Sequence, residues 1–167
     1  ADPEVARRLD DVGNELDEIL EELRDLAHGL YPSVLHEFGL REALASVVRR
    51  SAPPATLEAP AIGRYADDVE AAVYFCCLES LQNVAKHAGS GATAVVRLGE
   101  RDGRLEFEIV DDGSGFDVES ASRSGGGYTN MTDRMAGVGG TLSVDSAHGR
   151  GTTVRGSLPV VAAPRAP

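Results

Sequence analysis

The stretch 66–88 reads ADDVEAAVYFCCLESLQNVAKHA, and its apolar spacing predicts one long helix. One face of this helix is polar and carries an acid, an amide and two potentially cationic groups: Glu79, Asn83, Lys86 and His87. At roughly 100° per residue, these four positions fall within about a quarter-turn of one another. The adjoining face is predicted to be core. On this helix alone, a solvated face with i,i+4 pairing explains the polar residues better than a ligand site does.

Two further blocks of sequence follow predicted strands. Asp111-Asp-Gly-Ser-Gly-Phe116 comes directly after the predicted strand Leu105–Val110. A carboxylate at the end of a strand can accept hydrogen bonds from a ligand's amino group, and glycines let a ligand approach the backbone. Gly149-Arg-Gly-Thr152 enters the last predicted strand. The alternatives are an acidic surface turn for the first block and a hairpin turn for the second.

A third block, Gly125-Gly-Gly-Tyr-Thr-Asn-Met131, opens a predicted helix over Thr129–Ala136. A glycine-rich segment that enters a helix can bind phosphate, because unpaired N–H groups and the helix dipole favour anions. The alternative is a flexible linker. The block is neither a dinucleotide-binding fingerprint nor a P-loop, since it lacks a preceding strand and a Gly-Lys-Ser/Thr sequence.

Outside these blocks, the chain predicts a helical stalk followed by a mixed α/β region. Apolar residues recur at alternating spacings of 4 and 3 in a heptad pattern, at Val5, Leu9, Val12, Leu16, Ile19, Leu23, Leu26 and Leu30. Gly29 and Pro32 are expected to end this helix. A second helix is predicted over Gly39–Arg50, and further strands over Thr56–Ala59, Ala92–Leu98, Thr141–Asp145 and Thr152–Leu158, with a hairpin turn at 100–103.

The predicted fold class is α+β, a two-layer α/β sandwich preceded by the heptad-patterned stalk. The expected domains are a helical part over 1–50, an α/β part over 51–160 and a disordered tail over 161–167.

Composition excludes several classes of function. The 167 residues include 27 acidic and 16 basic side chains, which gives a net charge of −11. Such a charge argues against a nucleic-acid binder and against docking on an anionic membrane surface. The longest apolar run, Ala71–Leu78, is far shorter than the roughly 20 residues that a membrane span needs. Cys76 and Cys77 are predicted to be buried apolar residues, and the absence of a disulfide framework indicates a cytoplasmic location.

In this order and at these spacings, the blocks resemble those of the GHKL, or Bergerat-fold, ATPases. Glu79-x-x-x-Asn83-x-x-Lys86-His87 resembles the asparagine box, and the three glycine-containing blocks resemble the three glycine boxes. Within that superfamily, the chain is most similar to two-component sensor histidine kinases of the subgroup that signals to helix-turn-helix response regulators. The segment Leu23-Arg-Asp-Leu-Ala-His-Gly-Leu-Tyr-Pro32, with Gly39-Leu-Arg-Glu-Ala-Leu44 after it, is similar to the second dimerisation helix of that subgroup and its exit. The resemblance implies that 1–50 is a partial dimerisation helix with an exit helix and that 51–160 is the ATP-binding catalytic domain.

The resemblance implies a role for each matching residue. Asn83 would hold Mg²⁺ at the ATP phosphates, and Glu79 would be the acid–base or water-organising group near the γ-phosphate. Lys86 and His87 would contact phosphate. Asp111 would accept a hydrogen bond from the adenine amino group, supported by Thr152. Four glycines would let the loop Phe116–Ser124 close over the nucleotide: Gly113, Gly115, Gly125 and Gly127.

The resemblance also implies partners that this sequence does not contain. The phosphate acceptor of such kinases is a histidine on an upstream dimerisation helix, which we expect to lie outside this chain. His28 lacks the acidic neighbour of an acceptor, and His36 follows the interruption at Pro32. The expected partners are ATP, that helix, a response regulator and a second copy in a full-length homodimer, whose other regions can attach it to a membrane. Two alternatives stay open, a serine kinase of the anti-sigma-factor type and a non-catalytic dimerisation module.

Overall fold

The computed structural model describes residues 33–60, 62–118 and 127–160. The predicted heptad helix and the tail 161–167 lie outside these residues. None of the helices in the described ranges is long and apolar enough to cross a lipid bilayer.

The centre of the fold is a five-stranded mixed sheet in the order β1-β2-β3-β5-β4. Its strands are β1 (Ala55–Glu58), β2 (Ala94–Arg101), β3 (Arg104–Asp111), β4 (Thr141–Ser146) and β5 (Thr152–Pro159). Strands β1 and β2 run parallel, whereas the other neighbours are antiparallel. The five predicted strands are thus present, with ends that differ by up to three residues. The predicted hairpin turn is tight, with Asp102 and Gly103 both at positive φ, as a two-residue turn requires.

The helices cover one face of this sheet. They are α1 (Ser33–Phe38), α2 (Leu40–Arg49), α3 (Asp67–His87) and α4 (Gly127–Gly137). Alternate residues of β2 and β3 are buried, as expected for strands with one covered face. Cys76 and Cys77 are fully buried and carry free thiols. The α+β two-layer prediction for the region after the stalk is therefore confirmed.

Helix α1 was not predicted. The helical pattern in the sequence ends at Pro32, but Ser33–Phe38 is helical and Leu35 is fully buried. Proline is well tolerated at the start of a helix, so Pro32 is compatible with a new helix after it. Leu40 and Leu44 of α2 are buried as well. Helices α1 and α2 therefore contribute to the core, and the boundary predicted at residue 51 stays a prediction.

An arginine joins the end of α1 to the start of α3. The Nε of Arg64 donates to the fully buried carboxylate of Glu70 at 2.9 Å, and its Nη2 donates to the Leu35 and His36 carbonyls at 3.2 Å each. Gly39, at φ 82°, ends α1, and a Cβ there would lie 2.9 Å from Cδ of Arg64. The glycine thus provides both a positive φ that disfavours other residues and the space for the arginine.

The opposite face of the sheet carries a ladder of ion pairs across four strands. Arg97 bonds Glu58 and Glu108 at 2.8 Å each, and Glu108 also accepts from Arg155 at 2.9 Å. These residues are register partners, so the sheet itself places opposite charges side by side.

Candidate nucleotide-binding site

Helix α3 presents the predicted polar face. Glu79 and Asn83 are half-buried, whereas Lys86 and His87 are exposed in the last turn. The predicted core positions Cys77, Ser80, Leu81 and Val84 are buried. Helix periodicity therefore puts an acid and an amide at the edge of the core, one turn apart, with two basic side chains beyond them.

Asp111 is the last residue of β3 and is only 7% exposed. Its Oδ1 accepts a hydrogen bond from the Gly113 amide at 2.9 Å. The other oxygen, Oδ2, can then face a ligand. A buried carboxylate needs such partners, because leaving it without hydrogen bonds costs free energy.

The neighbouring Asp112 is exposed and already committed to the backbone. Its two carboxylate oxygens accept from the Thr93 amide at 2.6 Å and from the Thr93 hydroxyl at 3.0 Å. These bonds lower the pKa of Asp112. Of the two aspartates that the sequence offers, the geometry therefore favours Asp111 as the ligand-binding one.

The first glycine block packs onto the end of α3. Ser114 donates from its amide to the Ala88 carbonyl and from its hydroxyl to the His87 carbonyl, both at 2.9 Å. Gly113 lies so close to Ala88 that a Cβ would overlap it, and Gly115, at φ 59°, lies against the Ala147 carbonyl. These glycines are needed for close packing in addition to any role toward a ligand.

The block Gly149–Thr152 contacts the block Asp111–Phe116. The Gly149 amide donates to the Ser114 carbonyl at 2.6 Å. Thr152 is the register partner of both Asp111 and Ser146, so these three residues form one row across β3, β5 and β4. Residues paired directly opposite one another share a face of the sheet, so the row places three polar side chains together.

Ser146 was missed by the sequence analysis. Its hydroxyl accepts from the Phe116 amide at 3.0 Å, donates to the Gly151 carbonyl at 2.9 Å, and lies 3.1 Å from the Thr152 hydroxyl. The pairing of β4 with β5 puts it there, and a serine at the end of a predicted strand gave only a weak signal.

Gly127–Met131, the described part of the block that begins at Gly125, contacts helix α3 from another side. A Cβ at Gly127 would lie 2.6 Å from Oε1 of Glu79, and Sδ of Met131 lies 3.7 Å from the Ser80 hydroxyl. Helix α4 thus begins at the Glu79 carboxylate, where the helix dipole favours negative charge. Gly125 and most of the loop 116–124, which is predicted to close over the nucleotide as a lid, lie outside the described residues. Of the three glycine-containing blocks, the described parts of two thus contact α3 or its C-cap, and Gly149 contacts the first of these through Ser114.

Comparison with known proteins identifies a family and several relatives that resemble this chain. The family model for histidine kinase-, DNA gyrase B-, and HSP90-like ATPases matches residues 68–162. Sensor histidine kinase MctS of Rhizobium johnstonii is 34% identical over 148 residues, covering 84% of this chain and 32% of the relative. Sensor histidine kinase LiaS of Bacillus subtilis is 28% identical over 166 residues, covering 96% of this chain and 45% of the relative.

Solved structures show the same fold. The histidine kinase AdeS of Acinetobacter baumannii superposes with a TM-score of 0.62 at 15% identity, covering 95% of this chain and 85% of that one. The blue-light activated histidine kinase EL346 of Erythrobacter litoralis superposes with a TM-score of 0.63 at 19% identity, covering 72% of this chain and 42% of that one.

The chain belongs to the family of histidine kinase-, DNA gyrase B-, and HSP90-like ATPases. The resemblance to the catalytic domain of sensor histidine kinases is thereby confirmed. The subgroup that signals to helix-turn-helix response regulators stays a prediction. It spans between about a third and a half of the length of these two curated relatives.

Proposed function

We propose that the chain is the ATP-binding catalytic part of a sensor histidine kinase. It transfers the γ-phosphate of ATP to a histidine on an upstream dimerisation helix, from which the phosphate passes to an aspartate of a response regulator. The observation that carries this proposal is the buried Asp111 carboxylate, held beside glycine turns that pack onto the end of α3. This arrangement gives an amino-bearing base a hydrogen-bond acceptor within a closely packed backbone cradle.

The polar face of α3 supplies the groups for the phosphates. Asn83 and Glu79 lie one turn apart and half-buried, which suits an amide ligand for Mg²⁺ and an acid–base or water-organising group beside it. Mg²⁺ prefers oxygen ligands and commonly shares them with substrate phosphates, where it neutralises charge. Lys86 and His87 are exposed at the end of the helix and contact phosphate in this proposal.

Asp111 and Thr152 form the base-binding end of the site. Oδ2 of Asp111 accepts from the adenine amino group, and Thr152 lies beside it as its register partner. Gly113 and Gly115 hold the backbone of this end together, whereas Gly125 and Gly127 flank the lid.

Local groups must supply the affinity for ATP, because the whole chain is acidic at −11. A negative protein repels an anionic nucleotide at long range. Mg²⁺, Lys86 and the N–H groups of helix ends act at short range and offset this repulsion. The resulting site positions and neutralises the phosphates, which is most of what phosphoryl transfer requires.

The acceptor histidine lies outside this chain in this proposal. His36 is followed by an acid, as an acceptor would be, and the structure places it on helix α1. The interruption at Pro32 is therefore a weaker reason against His36 than the sequence suggested. However, α1 has only six residues, and its end is tied to Arg64 through the His36 carbonyl.

The other expected partners are also proposals: a second copy in a full-length homodimer and a response regulator in the cytoplasm. Of the two alternatives, a serine kinase of the anti-sigma-factor type would not need the heptad pattern of Val5–Leu30. A non-catalytic dimerisation module would be expected to lack a characteristic residue in at least one of the four boxes. The described parts of all four boxes retain their characteristic residues.

Calorimetric titration of the chain with ATP, with and without Mg²⁺, tests the proposal. We expect saturable binding that strengthens with Mg²⁺ and weakens at least tenfold in Asp111→Asn, because the amide replaces a charged acceptor by a mixed donor and acceptor. Asp112→Asn is the matched control and should stay within about threefold of the parent, because hydrogen bonds to Thr93 occupy that carboxylate. A folded chain that binds no ATP, or equal losses in both variants, would contradict the proposal.

A further inference from the structure

We propose that Ser146 determines which purine the site accepts, by fixing the direction of the hydrogen bond made by Thr152. This inference rests on the proposed function, since it concerns the base-binding end of the same site. It assigns Ser146 as a positioning residue and predicts discrimination between a 6-amino and a 6-oxo purine.

The partners of the Ser146 hydroxyl determine whether it donates or accepts in each of its hydrogen bonds. A serine hydroxyl has one proton and two lone pairs. The Gly151 carbonyl can only accept, so the Ser146 proton is used in the 2.9 Å bond to that oxygen. The Phe116 amide can only donate, so it takes one lone pair at 3.0 Å. In the 3.1 Å contact between the two hydroxyls, Thr152 is therefore the donor.

Thr152 consequently has only lone pairs left for a ligand. It stands opposite Asp111 in the register of β3 and β5, on the face of the sheet that the helices cover. Oδ2 of Asp111 is also an acceptor. The base edge that enters this corner therefore meets two neighbouring acceptors, one charged and one neutral.

Two acceptors select a donor with two hydrogens. The amino group at position 6 of adenine can donate one hydrogen to Asp111 and the other to Thr152. A 6-oxo purine would instead turn an oxygen toward two acceptors, so its lone pairs would oppose theirs and buried polar groups would stay unpaired. Rejection of the wrong base then comes from repulsion as well as from lost hydrogen bonds.

The affinity ratio of ATP to inosine triphosphate (ITP), measured by calorimetry with Mg²⁺, tests this inference. We expect a ratio of about 100 or more for the unmodified chain. In Ser146→Ala the Thr152 proton is released and can turn toward a 6-oxo group, so the ratio should fall about tenfold. Ser146→Thr retains the hydroxyl and should keep the ratio. Ser143→Ala is the matched control, because Ser143 lies on the same strand but is exposed.

A double-mutant cycle separates this role from a purely structural one. If Ser146 acts through Thr152, Ser146→Ala should not change the ratio further in a Thr152→Val background. An unchanged ratio in Ser146→Ala, or an equal fall in both backgrounds, would overturn the inference.

Two further outcomes are also decisive. Should Ser146→Ala fail to fold, Thr152→Ser must keep the ratio and Thr152→Val must lower it, and equal ratios would overturn the inference. An unmodified chain that binds no ATP would instead defeat the proposed function, and the inference with it.

Discussion

Gly127 and Gly137 occupy the two ends of helix α4 but have different surroundings. A Cβ at Gly127 would lie 2.6 Å from the Glu79 carboxylate, whereas a Cβ at Gly137 would meet nothing within 4 Å. The first glycine therefore sets how closely α4 approaches a proposed catalytic residue, and the second leaves space for a side chain.

We expect Gly127→Ala to displace the Glu79 side chain and to lower γ-phosphate transfer about tenfold or more, because small displacements of a catalytic group are costly. The rate is measured on a longer chain that includes the upstream acceptor helix. Gly137→Ala is the control and should leave the rate unchanged while raising the free energy of unfolding by about 0.5–1 kcal/mol. Equal rates in the two variants would show that Gly127 has no such role.

Residue types predicted the site better than they predicted its hydrogen bonds. The spacing of Glu79 and Asn83 on a helix was enough to place both on one face. The resemblance had already assigned Asp111, but the structural reason to prefer it to Asp112 is Thr93, which approaches through the pairing of β2 with β3. The role of Ser146 likewise depends on strand register, which follows from contacts between segments distant in sequence.

At the scale of elements, Arg64 holds the end of α1 beside the start of α3. Its guanidinium is half-exposed, whereas its partner Glu70 is fully buried. Removal of the arginine would take the 2.9 Å ion pair away from a buried carboxylate that also accepts from the Tyr65 amide at 3.0 Å.

We expect Arg64→Ala to lower the free energy of unfolding by about 2–3 kcal/mol, below the usual range for a broken buried pair because water can reach this site. Urea denaturation measures the change. Arg41→Ala is the control, since Arg41 pairs with Glu42 at the surface and should contribute less than about 1 kcal/mol. If the free energy of unfolding fell no more than in the control, Arg64 would not stabilise the contact between α1 and α3.

The ladder of ion pairs on the face of the sheet opposite the helices predicts that the free energy of unfolding depends on pH. The hydrogen bond from Arg97, together with the charge of Arg155, lowers the pKa of Glu108 from its ordinary 4.5, although burial opposes this shift. A carboxyl whose pKa is lower in the folded state stabilises the fold above the unfolded pKa and loses that contribution as the pH falls through the folded value.

Chemical denaturation between pH 7 and pH 3 should therefore show Glu108→Gln less stable than the parent at neutral pH. The difference in unfolding free energy should shrink below about pH 4.5. Glu106→Gln is the matched control, on the same strand and face but exposed. A difference that stays constant with pH would contradict this account of the ladder.

Most elements of the fold could be predicted because their patterns are local. Helix α3 and strand β3 each have the period of their own structure and clear ends. Helix α1 could not be predicted, because six residues are too few for a periodic pattern and its stability comes from packing of Leu35 and from Arg64.

At the scale of the whole molecule, ligand binding and folding stability are linked. A ligand that binds only the folded chain raises the free energy of unfolding by about 2.7 kcal/mol at 100 times its Kd. For a domain of this size, that corresponds to a rise in Tm of roughly 5–10 °C.

We expect Mg²⁺ and ATP to produce such a rise in the unmodified chain and a much smaller one in Asp111→Asn at the same nucleotide concentration. Differential scanning calorimetry measures both. An equal rise in the two proteins would place the stabilising nucleotide somewhere other than at Asp111.

Cys76 and Cys77 lie side by side in the middle of α3, and burial raises the pKa of Cys76 to about 12 and that of Cys77 well above its ordinary value. Alkylating reagents attack the thiolate, so neither sulfur can react until α3 separates from its neighbours. The rate of alkylation in native buffer therefore reports how often the core opens. The alkylation rate of these two cysteines would thus follow opening at α3, the helix that carries the phosphate-binding residues of the proposed site.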